Sequence, residues 1–180
     1  MSDNAVQSAL WLKRAGFCGL IALVVFLQLL PLVTEPRAWT GPDLVMAFAF
    51  AWAVRRPDYL PTLMIAVLFL MCDLLLQRPP GLWAALMVLA CESLKTQVRT
   101  LRDSGVVSEI VSVSFMIIAV SVAYRLILAV TLVEVPHIGL SAIQTGATLI
   151  AYPFVVLMSH TIFGVKRTAP GDLDRTQVGP

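Results

Sequence analysis

The chain has 180 residues, of which 58% are hydrophobic and 13% are charged, and its mean hydropathy is +0.84. A soluble domain carries roughly a quarter charged residues, so this composition indicates an integral membrane protein and excludes a soluble globular domain. The formal net charge is only +2. The basic residues are sorted by loop along the chain and are not pooled on one face, which excludes a nucleic-acid-binding surface.

Six apolar segments follow one another along the chain. Residues 1–14 form a polar lead, and the predicted spans cover residues 15–33, 42–54, 60–76, 82–94, 106–133 and 140–165. The second span starts at Pro42 and Asp43, where proline needs no donor and aspartate faces the positive helix end. Pro57 ends that span, and Pro153 predicts a kink in the sixth. The sequence therefore predicts an all-α fold with one six-span transmembrane domain over residues 15–166, followed by a disordered tail over 167–180.

The second and fourth spans are short for a bilayer. About 13 residues at roughly 1.5 Å each reach about 20 Å, whereas the hydrocarbon core is roughly 30 Å thick. The helices could extend into the flanking polar residues, the bilayer could thin locally, or the short spans could be the broken helices of a transporter. Each short span ends in its own charged cluster, so we predict extension.

The basic residues predict the topology. Ten of the thirteen Lys and Arg residues lie on alternate connections, namely Lys13, Arg14, Arg55, Arg56, Lys95, Arg99, Arg102, Lys166, Arg167 and Arg175. The opposite connections carry only Arg37 and Arg78, and Arg125 lies inside the fifth span. Short cytoplasmic loops retain positive charge. We therefore expect both termini in the cytoplasm.

No residue pattern predicts an enzyme, a metal site or a cofactor site. The three cysteines, Cys18, Cys72 and Cys91, are isolated in apolar segments and form no CxxC pair, so they are expected to be small buried hydrophobic residues. A GxSxG elbow, a phosphate-binding loop and an HExxH helix are all absent from the sequence. His160 lies alone near the end of the sixth span and is expected to be a packing residue.

Two charges inside predicted spans stand out because a charge in lipid costs a few kcal/mol or more. Asp73 and Arg125 are both expected near the exported face, where they could form a functional relay or a structural ion pair, or reach the headgroups separately. Glu92 and Glu109 flank the basic connector 95–102 and are expected to pair with Lys95 or with Arg99.

The segment 42–94 resembles the MreD family of bacterial rod shape-determining membrane proteins. It reads Pro-Asp, an apolar span, Arg55-Arg56-Pro57, a second span ending in Asp73-Leu74-Leu75, and then Pro80-Gly81-Leu82-Trp83-Ala84. The order, spacing, chain size and span count are similar to that family, whereas the residues after 97 match it only in hydropathy.

The resemblance implies a non-enzymatic component of the cell-elongation complex in the bacterial inner membrane. Family members are associated with MreC, with the MreB filament, and with the SEDS glycosyltransferase and class B transpeptidase that build the lateral wall. The implied fold is similar to the membrane substrate-binding component of energy-coupling-factor transporters. Asp73, Pro80 and Gly81 match the most recognisable motif of the family.

Two surfaces are expected to make contacts under this interpretation. The turn Arg78-Pro79-Pro80-Gly81 could present a rigid periplasmic contact, although it could also simply join two helices. The basic residues Arg55, Arg56, Arg99 and Arg102 could bind the filament, and attraction to anionic lipid is the default alternative.

A vitamin-carrier type of small-molecule binder is the second interpretation. It requires a pocket in the exported half of the protein, where Trp39, Asp73, Trp83 and Arg125 could converge.

Overall fold

The computed structural model describes residues 3–30, 41–98, 105–131 and 137–163. Within them six α-helices occur, together with a short 3₁₀ turn at Pro57–Tyr59 and no β-strand. The helices are α1 Asp3–Leu29, α2 Leu44–Arg55, α3 Thr62–Leu75, α4 Leu82–Thr96, α5 Gly105–Val130 and α6 Ile138–Phe163. The prediction of an all-α protein is confirmed.

Three of these helices are long and apolar enough to cross a membrane: Leu10–Leu29 within α1, the whole of α5, and Ile138–Thr161 within α6. The outward faces of α5 and α6 carry large apolar side chains such as Val111, Phe115 and Phe154, which are 61%, 71% and 69% exposed. Surfaces of this kind fit hydrocarbon and not water, and they indicate a membrane protein.

From α2 onward each helix begins and ends within about three residues of a predicted apolar segment, whereas α1 begins well before the first segment. The predicted polar lead is helical from Asp3 onward, because no proline or glycine interrupts the chain before Gly16 and an acidic residue near a helix start is favourable. Helix α6 passes through Pro153 without a break. The predicted tail 167–180 lies outside the described residues.

Helix α2 lies at the centre of the fold. Every residue from Val45 to Arg55 is buried, and the helix packs against α1, α4, α5 and α6. Its apolar residues surround the helix on all sides, which is the pattern of a fully buried helix. The core around it contains large side chains from several helices, including Phe17, Trp52 and Tyr152.

The predicted extension of the second span is wrong. Helix α2 has 12 residues, which corresponds to about 18 Å. At its start the Asp43 carboxylate accepts a hydrogen bond from the Met46 N–H at 3.0 Å, a typical N-cap. At its end Pro57 prevents continuation because the residue before a proline avoids the helical region. The cap and the proline together fix the length.

One end of the helix assembly, which we call the basic end, gathers basic residues from three helices. The Arg14 guanidinium of α1 donates to the Asp58 carbonyl at 3.1 Å, and the Lys95 ammonium of α4 donates to the Leu60 carbonyl at 2.5 Å. Arg55 closes α2 at the same end. The end of α2, the start of α3 and the end of α4 therefore meet there, so that consecutive helices run in opposite directions.

Candidate functional site

The opposite end, which we call the cavity end, contains a cavity of about 320 Å³ between α2, α4, α5 and α6. Polar side chains line much of it, including Asp43, Arg78, Arg125, Ser141, Gln144 and Thr148. Apolar surface is contributed by Met46, Tyr124 and Leu140. The volume lies at the lower limit of the range typical of small-molecule pockets, about 300–1,000 Å³.

Arg78 connects the turn after α3 to the wall of the cavity. Its Nη2 atom lies 3.6 Å from Asp43 Oδ2, and its Cζ atom lies 4.9 Å from the centre of the Trp83 ring. Stacking on an aromatic face suits the planar, weakly hydrated guanidinium. Asp43 also contacts α6, since its backbone N–H donates to Thr148 Oγ1 at 2.9 Å. The ion pair is therefore anchored to both α2 and α6.

Two of the four residues predicted for a small-molecule pocket, Trp83 and Arg125, line the cavity, whereas Asp73 does not. The Trp83 ring packs edge-on against Tyr124 with centroids 5.1 Å apart. Arg125 Nη1 donates to Ser141 Oγ at 2.6 Å, which joins α5 to α6. Trp39, the remaining aromatic residue predicted for such a pocket, lies outside the described residues.

Asp73 has a different role from those expected of it. Its side chain is completely buried, and its Oδ2 atom accepts hydrogen bonds from the backbone N–H groups of Gly81 at 3.0 Å and Ala84 at 3.1 Å. Those groups belong to the first turn of α4, which has no intrahelical acceptors for them. The carboxylate thus caps α4 from the preceding helix, and the ion pair that was considered with Arg125 is not formed.

The turn between α3 and α4 is closed on both sides. The Arg78 N–H donates to the Asp73 carbonyl at 2.9 Å and the Gln77 N–H donates to the Leu74 carbonyl at 3.4 Å, the two bonds of a Schellman motif. Gln77 adopts φ +54° and Gly81 adopts φ +86°, so both lie in the left-handed region. Pro80 is exposed at the tip. Asp73 therefore holds this turn through both its side chain and its carbonyl.

The basic end contains a buried ion pair that the sequence did not predict. Arg55 Nε lies 3.0 Å from Glu109 Oε1, with side chains only 8% and 0% exposed, and the Tyr152 hydroxyl donates to the same oxygen at 3.4 Å. Glu109 was expected to pair with Lys95 or Arg99 and Arg55 to meet lipid headgroups. The expectation for Arg55 is wrong, because α2 is central and directs Arg55 toward Glu109 of α5. A contact between Glu109 and Arg99 is not tested, since Arg99 lies outside the described residues.

The other predicted residues at this end are placed more simply. Glu92 pairs with Lys95 at 2.7 Å, as predicted. Arg56 lies 5.9 Å from the ring centre of Tyr59 and is partly exposed. His160 is exposed. Arg99 and Arg102 lie outside the described residues.

Sequence reasoning missed Asp43 and Glu109 as members of polar clusters. Asp43 was identified as a helix start, but its contact with Arg78 depends on how the α3–α4 turn folds over α2. Glu109 could have been found by the argument applied to Asp73, since it also lies within an apolar helix where an unpaired charge is unfavourable.

The comparisons with known proteins return no relative that could assign the cavity or the capped turn. No protein-family model, no curated protein and no solved structure matches the chain.

Proposed function

We propose that the chain crosses the bacterial inner membrane six times and has both termini in the cytoplasm. The excess of basic residues on alternate connections supports this orientation. The geometry is compatible with it, since Arg14, Arg55, Arg56 and Lys95 share one end of the assembly. The cavity end would then face the exported side.

The short helices fit this proposal if the bilayer thins around them. Helices α2, α3 and α4 have 12, 14 and 15 residues, or about 18–22 Å, against a core of roughly 30 Å. Helix α2 is surrounded by protein and needs no lipid contact. The α3–α4 hairpin would draw the exported surface inward.

Within that frame we propose a non-enzymatic scaffold of the cell-elongation complex, similar to the MreD family. The observation that carries this proposal is the capped turn. The three residues that match the family motif, Asp73, Pro80 and Gly81, all belong to this turn. Asp73 accepts the N–H of Gly81, and Pro80 is exposed beside it. A turn fixed in this way can present a defined contact to a periplasmic partner with little loss of conformational entropy on binding.

The proposed partners follow from the surfaces. The single span of an MreC-like protein would pack on the exposed apolar face of α5 around Phe115, and its periplasmic domain would contact the turn at Pro80. The SEDS glycosyltransferase and class B transpeptidase would bind the lipid-facing surface of the helices. An MreB-like filament would contact the basic residues Arg56, Arg99 and Arg102, and would not contact Arg55, which is buried.

Deletion of the gene in its own bacterium tests the scaffold directly. A scaffold for elongation predicts round, lysis-prone cells that a plasmid copy restores to rods. Rod-shaped cells after deletion would reject the scaffold.

Site-specific crosslinking then tests the contacts. A photoreactive residue at Pro80 or Phe115 should capture a single-span partner, whereas one at Leu63, an exposed position on α3, serves as the matched lipid-facing control. Capture from Leu63 equal to that from Phe115 would show that α5 is not the docking face. Replacing Arg99 and Arg102 by glutamate should reduce filament association while membrane insertion is retained, and unchanged association would remove the filament contact.

The cavity favours a second candidate, a small-molecule carrier of the vitamin-transporter type. Its position between four helices and its mixed polar and apolar lining are suited to a ligand. Deletion again discriminates, because loss of a carrier predicts rod-shaped cells that need an external nutrient. Purified protein should also gain thermal stability from that nutrient.

A further inference from the structure

The cavity contains more hydrogen-bond donors than acceptors. Trp83 lines it and is only 6% exposed, yet its indole N–H has no acceptor within the described part of the chain. Most buried polar groups have a partner, and one that lacks it calls for a water, an ion or a ligand. The indole nitrogen can only donate, so whatever fills this position must supply an acceptor.

The neighbouring arginines add donors of the same kind. Each guanidinium carries five N–H groups and no acceptor, and both Arg78 and Arg125 line the cavity. Arg78 lies 3.6 Å from the Asp43 carboxylate, which is beyond ordinary hydrogen-bond length. Asp43 is the one carboxylate among the lining residues, and its other oxygen is taken by the Met46 N–H. The lining side chains thus have a formal charge of +1.

We propose that this cavity binds a phosphate group carried on a larger molecule. The phosphate oxygens accept from the Trp83 indole and from the Arg78 guanidinium, whose planar fork matches a phosphate. The apolar part of the molecule lies against Met46, Tyr124 and Leu140. A cation would face two guanidiniums. A single water would leave most of the 320 Å³ unfilled.

The same chemistry can come from two sources. The phosphate of a phospholipid could enter between the helices, or a free organic anion could enter from the aqueous side. The ligand class is inferred from the hydrogen-bond donors of the cavity. It does not depend on whether the protein is a scaffold or a carrier. A lipid source rests on the proposed membrane insertion with the cavity end near one bilayer surface.

The test uses the full chain purified in a maltoside detergent, which contains no phosphate. Three probes are titrated and followed by calorimetry: dioctanoyl phosphatidylglycerol, dioctanoylglycerol as the neutral lipid control, and glycerol 3-phosphate as the free anion. We expect saturable binding of at least one phosphate-bearing probe and none of dioctanoylglycerol. Binding of the lipid alone identifies the headgroup source, and binding of glycerol 3-phosphate with equal affinity identifies the free anion.

Variants locate the binding. Trp83→Phe removes the indole donor and keeps an aromatic ring, and Arg78→Gln removes the guanidinium. Each should weaken binding roughly tenfold or more, as expected for loss of a hydrogen bond to a charged group. Trp11→Phe and Arg56→Gln are the matched controls, since Trp11 is exposed and Arg56 lies near an aromatic ring at the basic end. Both should bind as the unchanged protein does.

Three results would overturn the proposal: no saturable binding of either phosphate probe, equal binding of dioctanoylglycerol, or full affinity in Trp83→Phe. If Arg78→Gln loses its helical circular dichroism, the more conservative Trp83→Phe decides alone. The cell-shape experiment does not depend on this outcome, so a scaffold without a ligand and a ligand site in a non-scaffold are distinguished.

Discussion

Replacing Asp73 by alanine should destabilise the α3–α4 turn more than replacing it by asparagine. The Asp73 Oδ2 atom alone accepts both backbone hydrogen bonds, from Gly81 and Ala84. An asparagine can present its single carbonyl oxygen at that position and keep both bonds, although neutral acceptors bind about half as strongly as charged ones. Its amide nitrogen then occupies the Oδ1 position, which is buried and has no partner among the described residues. An alanine keeps neither bond.

The expected magnitudes follow from these contacts. An unsatisfied buried donor costs about 1–3 kcal/mol. For two donors, less the desolvation cost that disappears with a buried carboxylate, Asp73→Ala should lower the free energy of unfolding by about 2–4 kcal/mol. Asp73→Asn should lower it by about 1–2 kcal/mol, because its bonds are weaker and its amide N–H groups have no acceptor. For a chain of this size 1 kcal/mol corresponds to about 2–4 °C, so the alanine variant should melt roughly 4–16 °C lower.

Thermal unfolding of the purified protein in detergent measures this difference. Asp58→Ala is the control, because Asp58 is exposed in the turn before α3 and should have little effect. The critical comparison is between the two Asp73 variants. If asparagine were as damaging as alanine, retention of the two backbone hydrogen bonds would not be what stabilises the turn. If alanine were harmless, Asp73 would have no structural role there.

Three further predictions concern the buried ion pair and the left-handed residues of the turn. Glu109→Gln should lower the free energy of unfolding, measured by chemical denaturation, by about 3–5 kcal/mol, because it leaves Arg55 buried without its charged partner. The double variant Arg55→Met/Glu109→Leu should recover most of this loss. Gly81→Ala should cost about 1–2 kcal/mol despite open space around its Cα, since φ is +86°, and a thermal melt equal to that of the unchanged protein would contradict this. Gln77→Gly should instead raise stability by up to about 1 kcal/mol in the same melt, because Gln77 has φ +54°.

The two polar clusters differ in what they hold together. Arg55 and Glu109 lock the end of α2 against the start of α5 inside protein, and a ligand has no access to a pair so fully buried. Asp43 and Arg78 form a longer contact beside an open cavity. Loss of the first pair should therefore appear mainly in folding, and loss of Arg78 mainly in binding.

Hydropathy, together with the helix-breaking proline and glycine residues, was enough to locate the helices. Proline at position 57 and the Pro79-Pro80-Gly81 run stop helices by local geometry, so the bounds of α2, α3 and α4 were predicted within two residues. The exception was the start of α1, where polarity suggested a lead although the residues have good helix propensity. Polarity predicts exposure, and it does not by itself exclude a helix.

The partners of the charged residues were decided by tertiary structure. Arg55 and Glu109 are 54 positions apart and meet only because α2 is enclosed by the other helices. Asp73 and Arg125 were predicted at a similar depth in the membrane, but depth does not determine how each helix is rotated about its axis. The rotation of α3 directs Asp73 to the start of α4. Which end a residue occupies is encoded locally by the order of apolar segments, whereas what it touches depends on how the other helices pack around α2.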